Sequence, residues 1–439
     1  MTEGRKFSLA YAWYVVVVML LANIISLTDR MVISLLVVPI QGDLHLSDTD
    51  MGWVLGIAFG LFYSLMGLPL GRMVDRLHRA RLIAGGMFVW SLMTIASGMS
   101  DSFWELFFAR MGVGIGEAVL APAAWSLVSD MFPPTTRAKA LSVIQLGGII
   151  GASMGYFLGG FVFSLAQSPE VFAGTFFEGL APWRTVFVLA AMPGLILMFL
   201  VFTIREPRAS AKVTPIPLSE VVAYLKGSGR PLLPMFLGLA GLMVTVFSVN
   251  AWTPALITRK FGLASDEIGF YFGLAAFFGG VPGTLAGGWI TDRAMRAGWH
   301  GVYWTIPLIG AVGVIPVLLM IDRIEQLNFL IALVGFFYFV SLLPNGVIIA
   351  YTQRASPPRM RGTIGALNIL CGNLIGYSGP AAVAFVSDGL LGGKEHIGEA
   401  LGLVGATFAL TAALLFALNR GRISGLSRYS ESGPEFQSI

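Results

Sequence analysis

The sequence predicts an all-α membrane protein: twelve transmembrane helices in two six-helix bundles, with both termini in the cytoplasm. Three observations predict it. The chain has too few charges for a soluble protein, it holds twelve apolar runs of spanning length, and its halves repeat. Of 439 residues, 56% are hydrophobic and 12% are charged, against roughly 25% charged in an ordinary soluble domain. So few charges cannot keep a surface of this size wet, which excludes a soluble enzyme and a disordered chain. The 54 glycines suit helices whose backbones approach closely in lipid.

A bilayer core needs about 20 apolar residues per helix. By that ruler, runs begin near Tyr11, Met51, Leu82, Phe103, Ala138, Thr185, Pro231, Ile268, Val302, Phe329, Gly362 and Ile397. The first run, Tyr11 to Ile40, is too long for the apolar core of a signal peptide and reads as a retained span. Residues 1–204 form the first bundle, 205–230 a cytoplasmic linker, 231–420 the second bundle and 421–439 a cytoplasmic tail. Within the linker, "PLSEVVAYLK" reads as a short surface helix.

Loop charge sets the orientation. With the N-terminus inside, the cytoplasmic segments hold 21 Lys+Arg and the outer loops 5, the other 2 of the 28 lying within spans. That asymmetry puts both termini inside; a multi-pass protein of the cell (inner) membrane, and a monomer, is the expectation. The net charge of +4 comes from scattered basic residues, so no nucleic-acid partner is expected. Cys371 is the one cysteine, and the four histidines lie in hydrophilic connections. No metal or cofactor is expected.

The repeat is local and specific. "GRMVDR" starts at Gly71 and "GWITDR" 217 residues later at Gly288, while "PPTTR" at Pro133 returns as "PPRMR" 224 residues later at Pro357. Two parallel six-helix repeats are the plan of a rocking-bundle transporter with its substrate site near the midplane.

Four ionisable residues lie deep within spans: Asp29, Arg30, Arg110 and Glu117. At roughly 2.5 to 3.5 kcal/mol each, they cost on the order of 10 kcal/mol before pairing, so they face the bundle interior or a wet cavity. At about 1.5 Å rise per residue, Glu117 is at the middle of span 4, with Arg110 two turns nearer the outside on the same face. Asp29 and Arg30 are roughly 6 Å outside the midplane of span 1. Arg30 is the candidate anion binder, because guanidinium stays charged and presents a planar fork. A carboxylic acid enclosed among apolar helices is suited to carry a proton, which selects Glu117. Asp29 either restrains Arg30 or shares that proton; Arg110 pairs with Glu117 or guides anions inward. The second half has no mid-span charge; Asn250, Asn345 and Asn368 are its candidate substrate contacts, against Phe and Met bulk. A charged wall facing an apolar wall suits an amphiphile.

Gly71, Asp75, Arg76, His78, Arg79 and Arg81 resemble the signature loop of the major facilitator superfamily, with His78 at the usual second glycine and Ala80 at a usual basic position. Gly288, Asp292 and Arg293 form a second, decayed copy. The loop is expected to gate the inner side, together with Asp130 and Arg137. Gly151, Gly155, Gly159 and Gly160 are similar to the superfamily's antiporter motif, but its proline is Tyr156 here, so no antiport is inferred.

Within the superfamily, "LTDRMVIS" (27–34) and "ARMGVGIGEAVLAPAAWSLVSDMFPPTTRAKA" (109–140) resemble the first and fourth spans of Spinster transporters. The resemblance implies a carrier of lysophospholipid or sphingosine-1-phosphate-like lipids, with Asp29, Arg30 and Glu117 as its polar cluster. Sugar-acid symporters carry a similar Asp-Arg pair, so a proton-coupled symporter of small organic anions is the alternative reading. A third is a non-transporting membrane sensor. An enzyme is not expected, because deep histidines and a nucleophile–base pair are missing.

Overall fold

The computed structural model describes residues 8–423, except 75, 169 and 207–216. Twelve helical spans run Leu9–Leu35, Asp48–Val74, Arg79–Gly98, Phe103–Met131, Thr135–Ala166, Pro182–Phe202, Leu232–Phe261, Ser265–Arg296, Val302–Met320, Leu327–Ala355, Arg361–Leu391 and Lys394–Leu418. Each starts within three residues of its expected position. No strand occurs among the described residues. Inner and outer denote the two membrane sides as the loop charges assign them. Large side chains such as Ile196, Phe199 and Leu418 stand exposed on the helix surfaces, where lipid makes exposure cheap. Helices are the required answer in hydrocarbon, since each backbone N–H must find its partner within its own segment.

Three spans break three to four residues ahead of a proline. A proline offers no N–H to the carbonyl four residues back, and its ring crowds that carbonyl. Span 1 ends at Leu35 and resumes as Val37–Leu44, the interruption at Leu36 lying three residues before Pro39. The first apolar run is therefore two helices, not one. Span 4 is interrupted at Ala118–Val119, ahead of Pro122 and directly after Glu117. Span 11 is interrupted at Tyr377, ahead of Pro380. Span 2 starts on a capping box between Ser47 and Asp50 and contains a π-helical turn, Trp53–Ala58.

The chain divides into two compact units: Met1–Lys212 with Asn250–Leu274, and Val213–Val249 with Ala275–Ile439. The outer parts of spans 7 and 8 thus belong with spans 1–6. In the first unit span 1 lies along span 5, and span 3 along spans 4 and 6. In the second, span 9 lies along spans 10 and 12. There span 7 approaches span 11 so closely that a Cβ on Gly379 would come 2.6 Å from the Val244 carbonyl. The pairs 1/5 and 3/6 recur as 7/11 and 9/12, which is the sequence repeat expressed as packing. The expected linker helix forms at Leu218–Lys226. Tyr224 anchors it by donating to the Ala355 carbonyl at 2.5 Å. Burial pushes this phenol up to about 12, so it stays a donor through the neutral range. The remainder of the linker at 207–216, residues 1–7 and the tail beyond Ile423 lie outside the described residues.

Candidate functional site

The fourth span carries glycines because its neighbours touch its backbone. A Cβ on Gly114 would come 2.5 Å from the Phe59 carbonyl of span 2, and one on Gly116 would come 2.7 Å from the Trp90 amide of span 3. This approach seats Glu117 among spans 1, 2 and 3, with its side chain 0% exposed.

The four deep charges form one cluster. Arg30 donates to Glu117 Oε2 at 2.5 Å, and Ser26 donates to the same oxygen at 2.8 Å. Arg110 Nη1 lies 4.0 Å from Asp29 Oδ2, which also accepts from Thr94 at 2.8 Å. Adjacent residues on a helix point about 100° apart, so Asp29 and Arg30 reach to different partners. Asp29 Oδ1 and Glu117 Oε1 accept no hydrogen bond among the described residues, which leaves each acid an oxygen for a proton. Asp29 and Arg110 are each 2% exposed, while the Arg30 side chain is 14% exposed. Arg30 is therefore the member of the cluster that reaches open space.

Aromatic rings lie against both guanidinium groups. Arg30 Cζ lies 4.4 Å from the centre of Phe59 and 4.7 Å from that of Tyr63, and Arg110 Cζ lies 5.8 Å from Phe59. The two rings stack at 5.4 Å. Each such contact contributes about 0.5 to 2 kcal/mol. Phe59 is the first residue after the π-turn of span 2, a feature often found at functional sites.

Two further charge groups lie at the ends of the first unit. On the outer side Arg259 of span 7 donates to Asp48 at 2.8 and 2.5 Å and to Gln41 at 2.9 Å. The Asp48 side chain is fully buried. On the inner side Arg79 pairs with Asp130 at 2.5 Å. His78 meets Glu206 at 2.7 Å, and Glu206 also accepts the Ala80 amide at the start of span 3.

A sequence profile described as the Major Facilitator Superfamily matches residues 19–380. An MFS-type efflux pump of Mycolicibacterium smegmatis is 31% identical over 94% of this chain and 93% of its own length. The chain belongs to the Major Facilitator Superfamily. Protein spinster homolog 1 of Xenopus tropicalis is 26% identical over 93% of this chain and 82% of its own. The hexuronate transporter of Bacillus subtilis is 25% identical over 85% of this chain and 87% of its own. In fold, the chain is similar to the crystal structure of a bacterial homologue of the human lysosomal transporter Spinster, inward-facing and occupied. That likeness has a TM-score of 0.78 and 24% identity, over 96% of this chain and 98% of that one. This member is accordingly a multi-pass membrane transporter, resembling Spinster, and not an enzyme.

Within this facilitator, Asp29, Arg30, Arg110 and Glu117 come together as one cluster. Asn250 lies in span 7 of the first unit, and its carbonyl accepts from Tyr156 at 3.3 Å. Asn345 and Asn368 belong to the second unit; Asn368 is buried and its Oδ1 accepts no hydrogen bond among the described residues. Of the inner loop, Asp75 lies outside the described residues. Arg76 and Arg81 are exposed, and Arg137 is half-buried at the start of span 5. A Cβ on Gly71 or Gly288 would meet nothing within 4 Å. Asp292 and Arg293 are exposed, and Arg293 lies over Trp289 at 5.9 Å. Ser26, Thr94, Phe59, Tyr63, Asp48 and Arg259 are site residues that the sequence reading did not select.

Proposed function

We propose that this transporter carries an amphiphilic anion, a lysophospholipid or a sphingosine-1-phosphate-like lipid, by proton-linked alternating access. One observation carries the proposal: Arg30 is held by Glu117 and yet reaches open space. An anion arriving on Arg30 competes with Glu117 for the guanidinium. Its charge then favours a proton on Glu117, and by reciprocal linkage the proton favours the anion. Oε1 is available for that proton while Oε2 keeps the Ser26 bond. Phe59 and Tyr63 hold the fork in plane and leave its edge for a phosphate or carboxylate. Asp29 and Arg110 set the field around the pair, and Asp29 is the alternative proton carrier.

Gating in this reading falls to Gly71, Asp75, Arg76, Arg79, Arg81, Asp130, Arg137, Asp292 and Arg293 inside. The Arg79–Asp130 pair supports it. The likeness of the first and fourth spans to Spinster transporters supports a lipid substrate; the hexuronate relative supports the second reading, a proton-coupled symporter of small organic anions. Purified protein in proteoliposomes separates them. Lysophospholipid and hexuronate uptake are compared with and without an imposed pH gradient, and gradient-driven uptake of hexuronate alone selects the second reading.

A further inference from the structure

Span 5 presents two small-residue faces. Gly147, Gly151, Gly155 and Gly159 meet span 1, where a Cβ on Gly151 would come 2.5 Å from the Ile24 carbonyl. The other face meets the outer part of span 8. There a Cβ on Gly160 would come 2.6 Å from the Ser265 carbonyl, and one on Gly273 would come 3.0 Å from the Ser153 carbonyl. A Cβ on Gly269 would fall on the Tyr156 carbonyl. Backbone meets backbone along this seam, so no flexible side chain absorbs a misfit.

Tyr156 stands in its middle, 1% exposed, with its ring edge-on to Phe272 at 4.6 Å. Its hydroxyl has two acceptors in reach, the Asn250 carbonyl at 3.3 Å and Met31 Sδ at 3.4 Å. The helical donor to the Asn250 carbonyl would be residue 254, which is a proline inside span 7 and has no N–H. The same occurs at Leu35, whose helical donor would be Pro39; the Ser265 hydroxyl reaches that carbonyl at 3.5 Å. Two carbonyls released by prolines are thus met by hydroxyls along one seam. Asn250 is also the residue at which span 7 passes from one unit to the other.

We propose that Tyr156 is a positioning residue for transport: by taking the carbonyl that Pro254 releases, it holds span 7 at its proline and the outer seam closed. It touches no substrate, and its role is the same for either candidate anion. When the outer parts of spans 7 and 8 part from spans 1 and 5, this hydrogen bond is lost. The hydroxyl therefore counts toward the ratio of outer-closed to outer-open protein, by about three- to tenfold for one hydrogen bond.

The test uses the full-length protein with Cys371→Ser and spin labels at Gly42→Cys and Ala264→Cys, two exposed outer positions. Tyr156→Phe keeps the ring and is expected to lower the closed-to-open ratio about three- to tenfold, with kcat changing more than KM. Gly269→Ala is expected to shift it the same way. Pro254→Ala returns an N–H to span 7. In that background Tyr156→Phe is expected to change neither distances nor turnover. An equal effect of Tyr156→Phe in both backgrounds overturns the proposal, as do wild-type distances in both Tyr156→Phe and Gly269→Ala.

Discussion

Glu117→Gln tests the proton route most directly. Gln retains an acceptor oxygen, so the bonds from Ser26 and Arg30 persist, while the site can no longer gain or lose a proton. Glu117→Ala would instead leave Arg30 without its buried partner, a loss of about 3 to 5 kcal/mol in comparable sites. For a monoanion moved with one proton the cycle is electroneutral. Membrane potential then drops out, and one pH unit supplies about 1.4 kcal/mol, a tenfold accumulation. Wild-type proteoliposomes alkaline inside by one unit should therefore concentrate substrate about tenfold. The Glu117→Gln protein should reach only the outside concentration, yet exchange labelled for unlabelled substrate at a comparable rate. The assay is accumulation beside counterflow in one vesicle preparation. Gradient-driven accumulation by the mutant would refute Glu117 as the carrier and transfer the role to Asp29.

Other expectations follow from the same geometry. Arg30→Lys should lower substrate affinity at least tenfold in a binding titration, because an ammonium replaces neither the planar fork nor its stacking on Phe59 and Tyr63. Asp48→Asn removes the buried partner of Arg259 and should raise the labelling rate of a cysteine introduced at Ala264 on the outer side; an unchanged rate would show that the outer ion group does not hold that side closed. Gly116→Ala places a Cβ 2.7 Å from the Trp90 amide and should destabilise the fold by about 1 to 3 kcal/mol, read as a lower Tm in detergent.

The spans were legible because hydrocarbon imposes one length and one composition on every crossing. The four deep charges were legible for the same reason: a charge in lipid has nowhere to face but inward. Their pairing was not. Arg30 meets Glu117 across 87 residues of chain, and nothing in either span's periodicity chooses that partner over Arg110. Ser26 and Thr94 were hidden among hydroxyls of ordinary use, since Thr291 and Thr352 donate to their own helix four residues back. Asp48 and Arg259 read as loop charges because the apolar runs of spans 2 and 7 stop short of their helices. Tyr156 was visible only as a departure from a motif, and its meaning depends on a proline in another span.

The π-turn at Trp53–Ala58 has a consequence for how span 2 can move. It is one residue more than an α-helix needs, held as slack near the outer end of a rigid rod. Passing that extra residue one place along the chain turns a single side chain by about 100° and leaves both ends of the rod where they were. Phe59 is next in line. One such step would swing its ring off both guanidinium groups, baring Arg110 and leaving Tyr63 alone on Arg30, with no bend in the helix and no charge leaving its place.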